Sequence, residues 1–254
     1  MTIDFGKTAD DYKQHRQGFP QRFFNRLLDM GLIGADKRVL DIGTGTGTLA
    51  RGMALAGSTV TAADIAAPMM EQAKVLDQEA GVSIEYHVAP AENLPLPDAF
   101  VDTITAGQCW HWFDRPRAAN ELKRLLKPGG TVVIAHLDWI PLPGNLVNAT
   151  ETLMLQHNPA WTMSGGTGMY PAWLADLATA GFINIETFSF DLDLIYTPEA
   201  WRGRIRASAA IAASLAPDAV ERFDAELKAL LFQQFPGEML PILHRVWAVT
   251  ARKP

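Results

Sequence analysis

The chain has 254 residues, 48% of them hydrophobic, with a formal net charge of −6 and a single cysteine. A chain of this length buries one substantial core, or a core with a smaller cap, which is the size range of doubly wound α/β folds. The acidic balance gives no general attraction for nucleic acid or anionic membrane, and Cys109 alone forms neither an internal disulfide nor a zinc cluster.

The first residues, MTIDFGKTADDYKQHR, are polar and lack the basic start and apolar centre of a secretory signal, and no uninterrupted apolar stretch approaches about 20 residues. We read a soluble cytoplasmic protein with no membrane partner, its residues 1–36 forming an N-terminal helical segment. Residues 37–42 (KRVLDI), 58–63 (STVTAA), 82–88 (VSIEYHV), 101–106 (VDTITA) and 131–137 (TVVIAHL) are short, β-branched and mostly apolar, as strands covered on both faces should be. Helices are expected between them, in strict alternation. Pro68 suits a first turn and Met69, Ala73 and Leu76 recur at helical spacing. Asp114 reads as an N-cap before Pro116, with Leu122, Leu125 and Leu126 as the apolar stripe and KPGG (127–130) as the stop. Alternation of this kind predicts a parallel sheet. Residues 37–137 make its first half. The second half, 138–254, carries strands at 182–190 (FINIETFSF) and 242–251 (ILHRVWAVTA), an irregular insertion at 138–170, and a further one at 191–240 containing two helices. Insertions of that size commonly form a substrate cap.

The stretch VLDIGTGTGTLA (39–50) marks the ligand end of this sheet, because ligands of open parallel sheets sit beyond the carboxyl ends of the strands. Its glycines let backbone approach a ligand closely. Gly45-x-Gly47-x-x-Ala50 with Asp64 also satisfies the loose dinucleotide fingerprint, so a NAD-dependent oxidoreductase is one alternative. Asp41 argues against it, since a carboxylate at that strand end repels a pyrophosphate. A cationic ligand without phosphate, such as S-adenosylmethionine, is attracted by the same charge.

Taken together, VLDIGTGTG (39–47), Asp64, APAENLPLP (89–97), VDTITAGQCWHWFD (101–114) and ELKRLLKPGGTVVI (121–134) resemble the successive motifs of class I S-adenosylmethionine-dependent methyltransferases. The HWF after the fourth strand is similar to small-molecule enzymes related to the trans-aconitate methyltransferases. The resemblance implies a doubly wound, seven-stranded, mostly parallel, Rossmann-like α/β sheet with a helical and irregular substrate cap. It also implies S-adenosylmethionine as cofactor and S-adenosylhomocysteine as product. By the same resemblance Gly43, Thr44, Gly45 and Gly47 line the methionine part and Asp41 faces its ammonium. Asp64 takes the ribose hydroxyls, Ile65 and Met69 flank the adenine, and Gln108 belongs to the cofactor residues. Pro90 stands where many relatives carry an aspartate, so adenine recognition falls to the backbone of Ala91 and Glu92. Tyr12 and Arg16 resemble a cap over the cofactor's carboxylate end.

Methyl transfer needs a base only if the acceptor must lose a proton. His111 and His136 are the candidates, at the ends of the fourth and fifth strands. Trp110, Trp112 and Trp139 are expected to line an apolar acceptor site, to which Met154, Met163, Met169 and Tyr170 add. In WRGRIR (201–206), Arg202 and Arg206 share a helix face and could clamp a substrate carboxylate. The expected reaction is methylation of oxygen or nitrogen on a small molecule. Carbon methylation of the quinone-biosynthesis type is the first alternative, and a non-catalytic adenosyl-binding protein is another.

Overall fold

The computed structural model describes residues 18–254. Helix α1 (Gln21–Asp29) buries Phe23, Phe24 and Leu27, which its helical spacing brings to one side. Then come β1 (Arg38–Ile42), α2 (Thr48–Leu55), β2 (Thr59–Asp64), α3 (Ala67–Ala80), β3 (Glu85–Val88) and β4 (Val101–Gly107). A short 3₁₀ turn at Trp110–Trp112 leads to α4 (Arg115–Leu125) and β5 (Leu126–Trp139). The rest comprises α5 (Leu146–His157), α6 (Ala172–Thr179), β6 (Ile183–Tyr196), α7 (Pro198–Arg206), α8 (Pro217–Gln234) and β7 (Leu240–Arg252).

Among the described residues seven strands form one sheet in the order β3-β2-β1-β4-β5-β7-β6. The pairs β3–β2, β2–β1, β1–β4 and β4–β5 are all parallel. The chain steps outward from β1 to β3 and then crosses back to β4, so the strand order reverses between β1 and β4. Ligands of such sheets bind at that reversal. Val39, Leu40, Ile42, Ile104, Val132 and Ile134 are fully buried, as expected of strands covered on both faces.

The chain divides into two compact units. One comprises Gly18–Leu137, Tyr170–Phe190 and Val246–Pro254, and the other, of described residues, Asp138–Met169 and Asp191–Arg245. The first has a core that includes Leu40, Ile104, Leu122, Trp110, Trp173 and Trp247. In the second, α5 and α7 each pack on α8, and Trp201, Ile205, Phe223 and Leu227 are buried. No helix among the described residues is long and apolar enough to cross a membrane.

Several local expectations change. Residues 89–100 between β3 and β4 are turns, where alternation predicts a helix, because Pro90, Pro95 and Pro97 break any helical run. The segment 138–170 is not irregular throughout: Asn145 caps α5 by accepting the Asn148 amide at 2.8 Å, and Val147, Thr150, Glu151 and Met154 form its buried side. Strand β6 runs six residues further than expected, to Tyr196; α4 ends at Leu125, just before KPGG, which itself lies within β5. Helix α3 buries Ala73 as predicted, with Met70 and Asp77 in place of the expected Met69 and Leu76. Asp114 does cap α4, accepting the Arg117 amide at 3.3 Å.

Candidate cofactor and acceptor site

The loop after β1 is fixed by the strands beside it. Parallel register sets Asp41 between Ala62 of β2 and Thr105 of β4. The Thr105 hydroxyl donates to its carboxylate at 2.6 Å, and Asp41 is 2% exposed. Burial pushes its pKa up to about 6, against the hydrogen bond from Thr105 that favours the ionised form, and the charge of Asp64 adds to the rise. A buried carboxylate of this kind is stabilised by an incoming cation.

Gly43 and Gly45 have φ of +60° and +56°, which side-chain-bearing residues rarely adopt. A Cβ at Gly43 would also stand 2.8 Å from the Cys109 sulfur. The Gly45 amide donates to Asp64 Oδ2 at 2.8 Å, and the Ala66 amide to Oδ1 at 2.9 Å. Each oxygen keeps a second lone pair for a ligand hydroxyl. Under the loop, Arg51 donates to Asp77 at 2.8 Å and to the Thr46 carbonyl at 3.2 Å, while Tyr86 donates to the other Asp77 oxygen at 2.8 Å. This network was not anticipated from sequence, although a carboxylate on the buried face of α3 signals that it must have partners.

The other cofactor candidates occupy the same unit. Ile65 is 74% exposed beside Asp64, and Met69 approaches Gly45. Ala91 is buried in the core, and the Glu92 carboxylate accepts the Asp114 amide at 2.8 Å. Gln108 holds a φ of +60° with its amide donating to the Ala135 carbonyl at 2.9 Å. Strained backbone of this sort clusters at ligand sites. Tyr12 and Arg16 lie outside the described residues.

On the acceptor side, the His111 ring lies 4.4 Å from Trp112 and 5.5 Å from His136, centroid to centroid. Trp112 is half-exposed. Trp110, by contrast, is fully buried in the core and donates through its indole N–H to Asp176 at 3.0 Å, so it presents no free face. In the second unit, Trp139 donates to Glu151 at 2.7 Å and lies under the Arg204 guanidinium at 4.8 Å. Arg202 grips Asp224 with two nitrogens and also donates to Glu199 at 2.7 Å; Arg206 donates to the same Asp224 at 2.7 Å. Burial raises the Asp224 pKa, but the two guanidiniums outweigh it and hold the carboxyl below its ordinary value. The two arginines therefore already clamp a carboxylate of this chain.

The doubly wound sheet with its order reversal between β1 and β4 is the architecture of class I S-adenosylmethionine-dependent methyltransferases, and sequence likeness to methyltransferases shows that the chain belongs to that family. Residues 40–134 match the family model described as a methyltransferase domain. The chain is 32% identical over 177 residues to the ubiquinone biosynthesis O-methyltransferase of Xanthomonas euvesicatoria, covering 68% of this chain and 72% of that relative. It is also 32% identical over 153 residues to an uncharacterized methyltransferase of Mycobacterium bovis, covering 58% of this chain and 60% of the relative's length. The solved structure of phosphoethanolamine N-methyltransferase 2 from Haemonchus contortus, in complex with S-adenosyl-L-methionine, shares the fold. Its TM-score is 0.58 at 20% identity, over 98% of this chain and 56% of that one.

Proposed function

We propose that this chain methylates oxygen or nitrogen on a small molecule. Bound S-adenosylmethionine supplies an electrophilic methyl group on a sulfonium. The observation that supports the cofactor in this reading is Asp41, a buried carboxylate at the end of β1 that a phosphate would find repulsive and a cation favourable. Gly43, Thr44, Gly45 and Gly47 give the methionine end a floor of backbone, and Asp64 receives the ribose hydroxyls with its remaining lone pairs. Ile65 and Met69 cover the adenine, with Ala91, Glu92 and Gln108 beside them.

The protein's remaining task is to hold the acceptor atom in line with the methyl group and to keep water away, which can supply most of the acceleration. His111 accepts the acceptor's proton where there is one to lose. Trp112 and the rings around His136 provide an apolar wall. The segments 138–170 and 191–240 are our assignment for the acceptor-side cap, and Trp139 is its candidate lining residue. Arg202 and Arg206 are dropped as a substrate clamp because Asp224 engages both. An oxygen acceptor accords with the name of the Xanthomonas relative, an O-methyltransferase.

The test is ligand-dependent stability. Saturating S-adenosylmethionine and S-adenosylhomocysteine should raise the melting temperature, by about 2.7 kcal/mol of stabilisation at a hundredfold excess over Kd. NAD should not. A shift with NAD and none with the adenosyl ligands overturns the reading. Transfer of a labelled methyl group to a panel of small alcohols, phenols, acids and amines then identifies the acceptor.

A further inference from the structure

The acceptor-side histidine on β5 is held by a residue that the sequence motifs leave out. His136 is 6% exposed, and its ring centroid lies 4.6 Å from Tyr170 and 5.7 Å from Trp173. Tyr170 is itself pinned. Its ring stacks on Trp173, with centroids 4.1 Å apart and planes 13° from parallel, and Trp247 closes on both at 5.8 and 5.7 Å. The packing brings the Tyr170 hydroxyl 3.2 Å from Nδ1 of His136.

A neutral imidazole carries its proton on one nitrogen, and the hydrogen bond made at the other nitrogen sets which. A phenol is a good donor and a weak acceptor, because its oxygen lone pair is shared with the ring. Facing Nδ1, it therefore favours the bare nitrogen. We propose that Tyr170 is a positioning residue that donates to Nδ1 of His136, fixes the Nε2–H tautomer, and so makes His136 a hydrogen-bond donor instead of a proton acceptor. The inference rests on the reading of His111 and His136 as the acceptor side. It gives the two histidines different tasks: His111 accepts a proton, and His136 offers an N–H.

Nitrogen–proton correlation NMR on the full chain, with isotope-labelled histidine at about pH 8 where an ordinary histidine is neutral, reads the tautomer directly. The His136 signals are assigned by their loss in His136→Gln. The expected pattern is Nδ1 unprotonated and Nε2 protonated, shifting toward a mixture of tautomers in Tyr170→Phe. Should that variant fail to fold, replacing tyrosine by fluorotyrosine, a more acidic phenol, keeps the packing and should strengthen the perturbation at Nδ1. A proton on Nδ1, protons on both nitrogens, or a pattern indifferent to both changes at Tyr170 overturns the proposal. Because the readout is the ring's own protonation, it decides the Tyr170–His136 relation even if methyl transfer to every acceptor tried were to fail.

Discussion

Asp64 accepts the amide of Gly45 at 2.8 Å, so the carboxylate that ends β2 also holds the glycine loop that follows β1. Its other oxygen takes the Ala66 amide at 2.9 Å. The residue thus acts before any ligand arrives, fixing the loop, and again by presenting its spare lone pairs.

Asp64→Ala should therefore weaken S-adenosylmethionine by roughly 2–3 kcal/mol, the range for hydrogen bonds to charged groups, while the chain remains folded. Asp64→Asn should fall between, since its amide oxygen can keep one of the two backbone donors and its NH₂ faces the other. Calorimetry on the folded variants decides. Undiminished affinity in Asp64→Ala would move the ribose contact elsewhere.

Asp41 sets stability against binding. Its carboxyl is raised from 3.8 to about 6 in the folded chain, so between those values the native state holds more protons than the unfolded one. Stability from this group is present below about pH 4 and lost as pH rises through about 6, a difference on the order of 3 kcal/mol. Asp41→Asn should accordingly stabilise the ligand-free protein at pH 7–8 and make its stability less dependent on pH between 4 and 6. The same change removes the charge that draws the cation, so the affinity for S-adenosylmethionine should fall. In the wild type that affinity should also weaken as pH drops below about 6. Denaturation and calorimetry at matched pH separate the two effects. A variant that is both less stable at pH 8 and equally able to bind would refute this account.

What the sequence disclosed, and what it hid, follows from how far each interaction reaches along the chain. The strands, the Asp114 cap and the glycine loop were legible because backbone demands are local. Helix α5 was concealed by Pro141, Pro143 and Gly144 before it and Asn158 and Pro159 after it, although Val147, Thr150, Glu151 and Met154 carry a helical spacing. At the site, the shared face of Arg202 and Arg206 could be read from their spacing. Their partner could not, because Asp224 lies 22 residues beyond Arg202, on another helix. Trp110 was misplaced for a related reason. A sequence shows an aromatic residue after a strand, but only the packing shows that its indole is enclosed and committed to Asp176.

The arginines now yield an expectation opposite to that of a substrate clamp. Arg202→Ala leaves Asp224, which is 18% exposed, with one guanidinium in place of two. The cost should fall between those of exposed and buried pairs, about 1–3 kcal/mol of folding stability, with the acceptor's KM nearly unchanged. Urea denaturation and steady-state kinetics measure the two quantities. A tenfold rise in KM at unaltered stability would restore the clamp.

The last expectation concerns His111 and depends on the acceptor's chemistry. Where the acceptor is a hydroxyl or a protonated nitrogen, a proton must leave as the methyl arrives, and an imidazole is the kind of group that accepts it. His111→Ala should then lower kcat by about 10²–10⁴ while S-adenosylmethionine affinity stays nearly constant, since the ring lies against Trp112 and His136 and is not part of the glycine loop or Asp64. Turnover in the wild type should rise with pH through the ionisation of one group, and the variant should lose that dependence. Where the acceptor is a carboxylate already ionised at pH 7, no base is required, and the same substitution should act mainly on the acceptor's KM through lost packing. His136→Gln is the companion measurement: a side-chain amide can still donate, so it should preserve more kcat than His111→Ala. Measuring kcat, KM and their pH dependence for both variants on one acceptor at saturating cofactor separates the roles. A His111→Ala enzyme with full turnover and unchanged pH dependence, on an acceptor that loses a proton, excludes His111 as the base.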